Sequence, residues 1–145
     1  MRTIAATATA FVSIVVLAAC QTTETELKES GAPPLSAAQV SEIFTDSTLR
    51  SETQKGNPVY IYYAPDGAMK GLVTWKGGSE RDAGRWEVSN DGLLCAQWDT
   101  WREAERSCWQ LYTMDGKLVW EDRVNSDGPK VDDSDMPEKG NTMDL

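Results

Sequence analysis

Closely spaced turn signals cut the middle of this chain into short runs. Pro65-Asp66-Gly67, Gly77-Gly78, Asn90-Asp91-Gly92 and Asp115-Gly116 each place glycine beside a turn-forming partner. Glycine supplies positive φ, and aspartate or asparagine satisfies nearby backbone donors, so each reads as a hairpin or loop signal. Between them lie runs rich in β-branched and aromatic residues: Val59–Tyr63, Met69–Trp75, Gly84–Val88, Leu93–Trp98, Arg106–Met114 and Lys117–Glu121, the last extending toward Val124. Residues 76–83 read as a loop. Short strands with such frequent turns predict a mainly β fold, a small antiparallel meander that forms either a barrel or a strongly curved sheet. One short N-terminal helix precedes it, from Leu35 to about Phe44. Ser36 and Gln39 form a capping-box pair, and Val40, Ile43 and Phe44 share a face that can dock on a sheet.

The first residues carry a different signature. Arg2 is followed by an apolar run from Ile4 to Ala19 and then by Cys20. One positive charge, a short apolar stretch and small residues before a cut form the pattern of a secretory signal. The run is shorter than the roughly 20 apolar residues of a membrane-crossing helix. Leu17-Ala18-Ala19-Cys20 resembles the lipobox of bacterial lipoproteins. That resemblance implies cleavage before Cys20, a diacylglyceryl thioether on its sulfur and a further acyl chain, such as palmitate, on its amine. More than one chain is needed, because a single acyl chain holds a protein only marginally. An ordinary secretory signal with Cys20 near the cut is the alternative. Gln21 stands where an inner-membrane lipoprotein carries aspartate, which implies an outer-membrane anchor facing the periplasm.

Removal of 1–19 leaves 126 of the 145 residues, enough for one small domain with tails. Arg2 leaves with the signal, so 13 basic residues face 23 acidic ones and the net charge is −10. Such a surface excludes nucleic acid as a partner, since phosphates demand lysine and arginine. It is also repelled by anionic headgroups, so the lipid on Cys20 has to supply the membrane attachment, and a cationic partner is favoured. Residues 20–34 are polar and read as a flexible tether, 35–124 as a disulfide-bonded β domain, and 125–145 as an acidic, disordered tail.

With Cys20 lipidated, Cys95 and Cys108 remain, and an even pair in an exported chain reads as a disulfide. A metal pair would call for CxxC spacing or histidine, and the chain has no histidine. A bridge across a hairpin sets Leu94 opposite Trp109, Ala96 opposite Ser107 and Trp98 opposite Glu105, with 99–104 as the loop. Alternation then puts Leu94, Ala96, Trp98, Trp109 and Leu111 on the core face.

The chain has six tryptophans. Trp75, Trp86, Trp109 and Trp120 fall inside β runs, where core packing or cross-strand pairing is expected. Trp101 falls in the loop beside Asp99, Arg102, Glu103 and Arg106. There it can stack on a sugar or anchor a protein partner, or it can fold back over the hairpin end. Trp101 and Arg102 are therefore the candidate binding residues.

Gly84-Arg85-Trp86-Glu87-Val88, Leu94-Cys95-Ala96-Gln97-Trp98 and Cys108-Trp109-Gln110-Leu111-Tyr112 together resemble a family of small exported domains of unknown function in Gram-negative bacteria. The likeness covers roughly Leu35 to Trp120. It implies the disulfide and the domain limits, and no activity.

Catalytic groups are sparse. Without histidine there is no Ser-His or Cys-His pairing, and the bridge consumes both domain cysteines. The carboxylates sit mostly in turns and tails rather than at apolar positions that raise a pKa. No phosphate-binding glycine loop is present. The expected protein has no catalytic residues, no metal and no cofactor. It is expected to be a non-catalytic, membrane-anchored envelope lipoprotein that binds a protein or glycan partner in the periplasm. An inhibitor of a cationic enzyme such as a lysozyme, or a structural outer-membrane lipoprotein, are the alternatives.

Overall fold

The computed structural model describes residues 22–124 and 131–145. The expected signal segment 1–19, Cys20 and tail residues 125–130 lie outside the described residues. Helix α1 (Glu24–Ser30) and helix α2 (Ala37–Phe44) come first. Nine strands follow: β1 (Ser47–Glu52), β2 (Pro58–Tyr63), β3 (Ala68–Trp75), β4 (Gly78–Val88), β5 (Leu94–Trp98), β6 (Arg106–Met114), β7 (Lys117–Asp122), β8 (Val131–Ser134) and β9 (Glu138–Lys139). A short 3-10 turn, Trp101–Ala104, separates β5 from β6.

The sheet is an antiparallel meander in which β9 returns to pair with β1, so the order runs β8-β7-β6-β5-β4-β3-β2-β1-β9. The outermost strands are joined through only Asp135, Met136 and Pro137. Four peptide steps reach at most about 14 Å, so the two edges must lie close together. The sheet therefore curls strongly, into a half-barrel. β9 covers β1 only at Ser47 and Thr48. Beyond that point Arg50, Ser51 and Glu52 face Asp132, Asp133 and Ser134 across a slot of about 370 Å3.

One end of the half-barrel is closed by α2. Ser36 caps it, with Oγ accepting from Gln39 N while Gln39 Oε1 accepts from Ser36 N. Val40 and Phe44 are fully buried. The Phe44 ring meets Tyr63 edge-on at 4.9 Å and Trp120 at 5.5 Å. Tyr63 in turn meets Trp86 at 5.5 Å, and Trp120 meets Trp109 at 5.8 Å. Five rings thus connect β4 to β6 through the helix, each edge-on contact adding about 0.5–1.5 kcal/mol to the burial itself. The 89–93 turn packs under the helix so closely that a Cβ on Gly92 would lie 2.7 Å from the Leu35 carbonyl oxygen.

Cys95 pairs with Cys108, Leu94 with Trp109 and Ala96 with Ser107, the register expected from the cysteines, and the bridge is formed. Leu94, Ala96, Trp98 and Leu111 are buried in the core, with Trp109 packed against it. The ladder stops at Gln97–Arg106, so Trp98 and Glu105 are not the pair that was expected. Asp99 N donates instead to the Ala83 carbonyl, which turns the chain out of the hairpin.

Other expectations need correction. Residues 78–83 are not loop: β4 starts at Gly78 and pairs with β3 as far as Trp75, leaving a two-residue turn. Trp75, expected in core packing or cross-strand pairing, takes the second: it pairs with Gly78 and is 44% exposed, because this hairpin outruns both neighbouring strands. Residues 22–34, read as tether, carry α1. Its N-cap Thr23 forms a complete capping box with Glu26, and Gly31 ends it in the left-handed region. Leu27 is buried, and Thr22 N donates to Asp133 Oδ2 at 2.7 Å. Asp133 pairs with Val119, which is fully buried although it lies on the outer face of the sheet. The α1 segment approaches that face, with Thr22 bonded to Asp133 and the Glu121 charge acting on Lys28.

The described part of the expected disordered tail supplies β8 and β9. Thr48 Oγ1 donates to the Gly140 carbonyl at 2.7 Å and accepts from Thr142 N at 3.1 Å. Lys139 Nζ donates to the carbonyls of Glu42 and Thr45 at the end of α2, where a cation offsets the helix dipole. Leu145 is buried, and its carbonyl accepts from Lys70 Nζ. Few apolar residues are needed here, because unpaired sheet edges provide backbone partners.

Candidate functional site

Among the described residues, the end opposite α2 carries only the 3-10 turn Trp101–Ala104, and Trp98 and Trp101 meet at this open mouth. Trp101 folds back over the hairpin end. Its backbone N donates to Asp82 Oδ2 at 2.7 Å, and its indole Nε1 donates to Glu80 Oε1 at 2.9 Å. Its ring lies 4.8 Å from that of Trp98 and covers Gly71, where a Cβ would come within 2.3 Å of it. Glycine at position 71 is thus what lets the indole lie flat on β3. Trp101 remains half-buried, with one part still open to the mouth.

Asp82 holds this arrangement. Burial acts to raise its pKa, but the backbone N–H groups of Trp101, Thr100 and Ala83 more than offset that and keep the carboxyl below its ordinary value. It is therefore an anion when it receives these bonds, which makes them charge-assisted.

Arg102 stands next to Trp101 in sequence but performs a different task. Its guanidinium sits 5.5 Å from the Trp109 ring centroid, within cation–π range. Among the described residues it has no carboxylate partner. Its backbone is left-handed, as are those of Glu103 and Ala104, with φ of 55°, 58° and 57°. Each such residue other than glycine costs about 1–2 kcal/mol. The cost is borne at the position that places the Arg102 guanidinium at the mouth, and local strain of this kind concentrates at ligand-contacting sites.

Two spaces meet at Arg102. The inner one, about 180 Å3, reaches into the half-barrel and is lined by Tyr63, Trp98, Trp109, Trp120 and Asp132 among others. The outer one is a groove of about 590 Å3 bordered by Val59, Ile61, Val73, Trp101, Glu52 and Glu80, inside the range of roughly 300–1,000 Å3 usual for ligand pockets. Aromatic floor, one cation and three rim carboxylates suit a surface that holds a ligand. Glu52, Glu80 and Asp132 carry no sequence signal of their own, since they come from strands far apart in the chain. Among the described residues no group of three or more metal-ligating side chains is assembled.

Burial pushes the Tyr63 hydroxyl, deep at the closed end, well above its usual value. Among the described residues no helix is long and apolar enough to cross a membrane.

No curated protein and no solved structure matches the chain. Residues 11–128 match the family described as protein of unknown function, DUF995. The match takes in α1, α2 and β1 to β7 and stops short of the closing strands β8 and β9. Covering well over half of the sequence, it makes this chain a member of the DUF995 family.

Proposed function

We propose that this protein is a non-catalytic lipoprotein of the cell envelope, anchored by lipid on Cys20 and binding a protein or glycan partner through its open mouth. The observation that carries the reading is the mouth itself: Trp98 and Trp101 in tilted contact with ring centroids 4.8 Å apart, and Arg102, which has no ion pair among the described residues, over Trp109. Indole faces stack on the apolar face of a sugar, while Glu52, Glu80 and Asp132 can accept from its hydroxyls. Tryptophan and arginine are also the residues that dominate protein-binding hot spots. Lipid attachment is supported by the run ending in Leu17-Ala18-Ala19-Cys20, and outer-membrane sorting by Gln21.

Pull-down from envelope extracts, together with titration of purified peptidoglycan fragments, tests the mouth. Wild-type protein should capture a partner that Trp101→Ala does not. Equal capture by both would remove the mouth from the account. The second reading, inhibition of a cationic enzyme, is favoured by the same rim carboxylates and by the acidic balance of the chain. A lysozyme assay at low salt checks it, and full activity in the presence of excess protein would sink it.

A further inference from the structure

The lead into the half-barrel is held at both ends. Thr22 N donates to Asp133 Oδ2 at 2.7 Å, and the Thr23–Glu26 capping box fixes the start of α1. Leu27 is buried, and Lys28 bonds Glu24 along the helix. Burial acts to raise the Asp133 pKa, yet the Thr22 N–H and Lys117 hold it below its ordinary value. Its bond to the lead is thus charge-assisted.

Thr22 lies beside Met114, Asp115 and Lys117. These residues form the β6–β7 turn, on the closed end. Cys20 precedes Thr22 by two residues, a reach of at most about 7 Å. A lipid carried by Cys20 must enter its bilayer next to that end.

We propose that the domain rides with its closed end against the bilayer, the β6–β7 turn at the headgroups and the open mouth turned away from the membrane. The proposal rests on the lipoprotein reading. A strand the length of β7 spans about 20 Å, so Trp101, Arg102 and the β3–β4 turn at Lys76 stand farther out by about that distance. The bilayer that fits is zwitterionic. Glu26 and Asp115 lie beside Thr22, Glu24 follows it by two residues, and Lys117 is already paired with Asp133, so anionic headgroups would be repelled. The mouth then faces the aqueous compartment, where a partner can reach it without meeting lipid.

The test uses the full lipidated chain in phosphatidylethanolamine-rich vesicles that contain lipids with nitroxide headgroups. With Cys20 lipidated and Cys95 bridged to Cys108, an introduced cysteine is the one free thiol for a fluorophore. Label at Met114→Cys should be quenched about three-fold more than label at Lys76→Cys, given the separation of about 20 Å. Placing roughly ten Gly/Ser residues between Gln21 and Thr22 adds a span of about 17 Å and should bring the two sites to equal, weak quenching. Equal quenching without the insertion would overturn the orientation. Strong quenching at Met114→Cys that survives the insertion would also overturn it, because the short lead would not be what sets the geometry. Mass spectrometry of Cys20 separates the two layers: an unmodified thiol overturns the anchoring reading and the orientation with it, whereas an acylated one with equal quenching overturns the orientation alone.

Discussion

The two ends of the half-barrel solve the same problem in opposite ways. At the closed end an apolar helix face is pressed into the sheet, and the buried rings of Tyr63 and Phe44 meet edge-on, with the partly buried Trp120 packed edge-on against Phe44. At the open end no α-helix covers the cavity among the described residues, and a tryptophan on the 3-10 turn, held by two carboxylates, does part of that work. The closed end rests on burial, which is non-directional and large. The mouth rests on a few directed bonds and tolerates left-handed backbone at three adjacent residues. Stability is thus concentrated away from the mouth proposed to meet a partner, in keeping with binding elements that come from the less stable parts of a fold.

The largest test of this contrast is Phe44→Ala. It empties the centre of the ring chain and should cost about 3–5 kcal/mol, seen as a lower urea midpoint at constant slope. A loss under about 1 kcal/mol would mean that α2 is not the main support. Removing the bridge by Cys95→Ser with Cys108→Ser, which also supports the closed half, should cost about 3 kcal/mol for so short a loop. The mouth should respond less. Gly71→Ala drives a Cβ into the Trp101 and Trp98 rings and should cost about 1–3 kcal/mol, with a red shift of tryptophan emission as Trp101 leaves β3. An unshifted spectrum would show that the indole does not lie there.

Acid and alkali should separate the two ends. Asp82 has a folded pKa below its ordinary 3.8, so its contribution is complete above that pH and lost as pH falls through the folded value. Acid should therefore free Trp101 while the closed end stays intact, and Asp82→Asn should abolish the acid step in Trp101 emission. Tyr63 has its pKa raised from 10.0 by burial. Its contribution is complete below pH 10 and lost as pH rises toward the folded value, so alkali should loosen the closed end first. The smallest effect is expected from Glu103→Gly, which relieves a left-handed residue at φ 58° and should stabilise by up to about 1 kcal/mol. Destabilisation by that substitution would mean the turn is not strained.

What could be read from the sequence follows physical lines. The β5–β6 register was legible because a disulfide and period-2 alternation fix the same pairing. α2 was legible because its capping box precedes a regular apolar face. Thr23 and Glu26 spell the same box before α1, but Leu27 is that helix's one buried residue, so no periodicity accompanied it. β1 and β8 were missed for a related reason: STLRSE and VDDS have little apolar content, and their order comes from backbone pairing with distant strands. At the mouth, Trp101 and Arg102 could be singled out from their loop. Glu80 and Asp82, which set the pose of Trp101, lie about twenty residues upstream in what reads as loop.

The three-residue link between β8 and β9 has a kinetic consequence. The partner of Thr48 at Gly140 is 92 residues further along the chain, so the first strand stays without its outer partner until nearly all the described sequence has emerged. Contacts of such separation form slowly, because the loop entropy must be met before the pairing rewards it. A chain delivered from its N-terminus passes through a stage in which β1 and the end of α2 present bare backbone groups. Lys139 satisfies several of them in one step when it arrives. Closing the sheet is therefore the late event of folding, and shielding that edge until then protects the chain at the time when it is most open to aggregation.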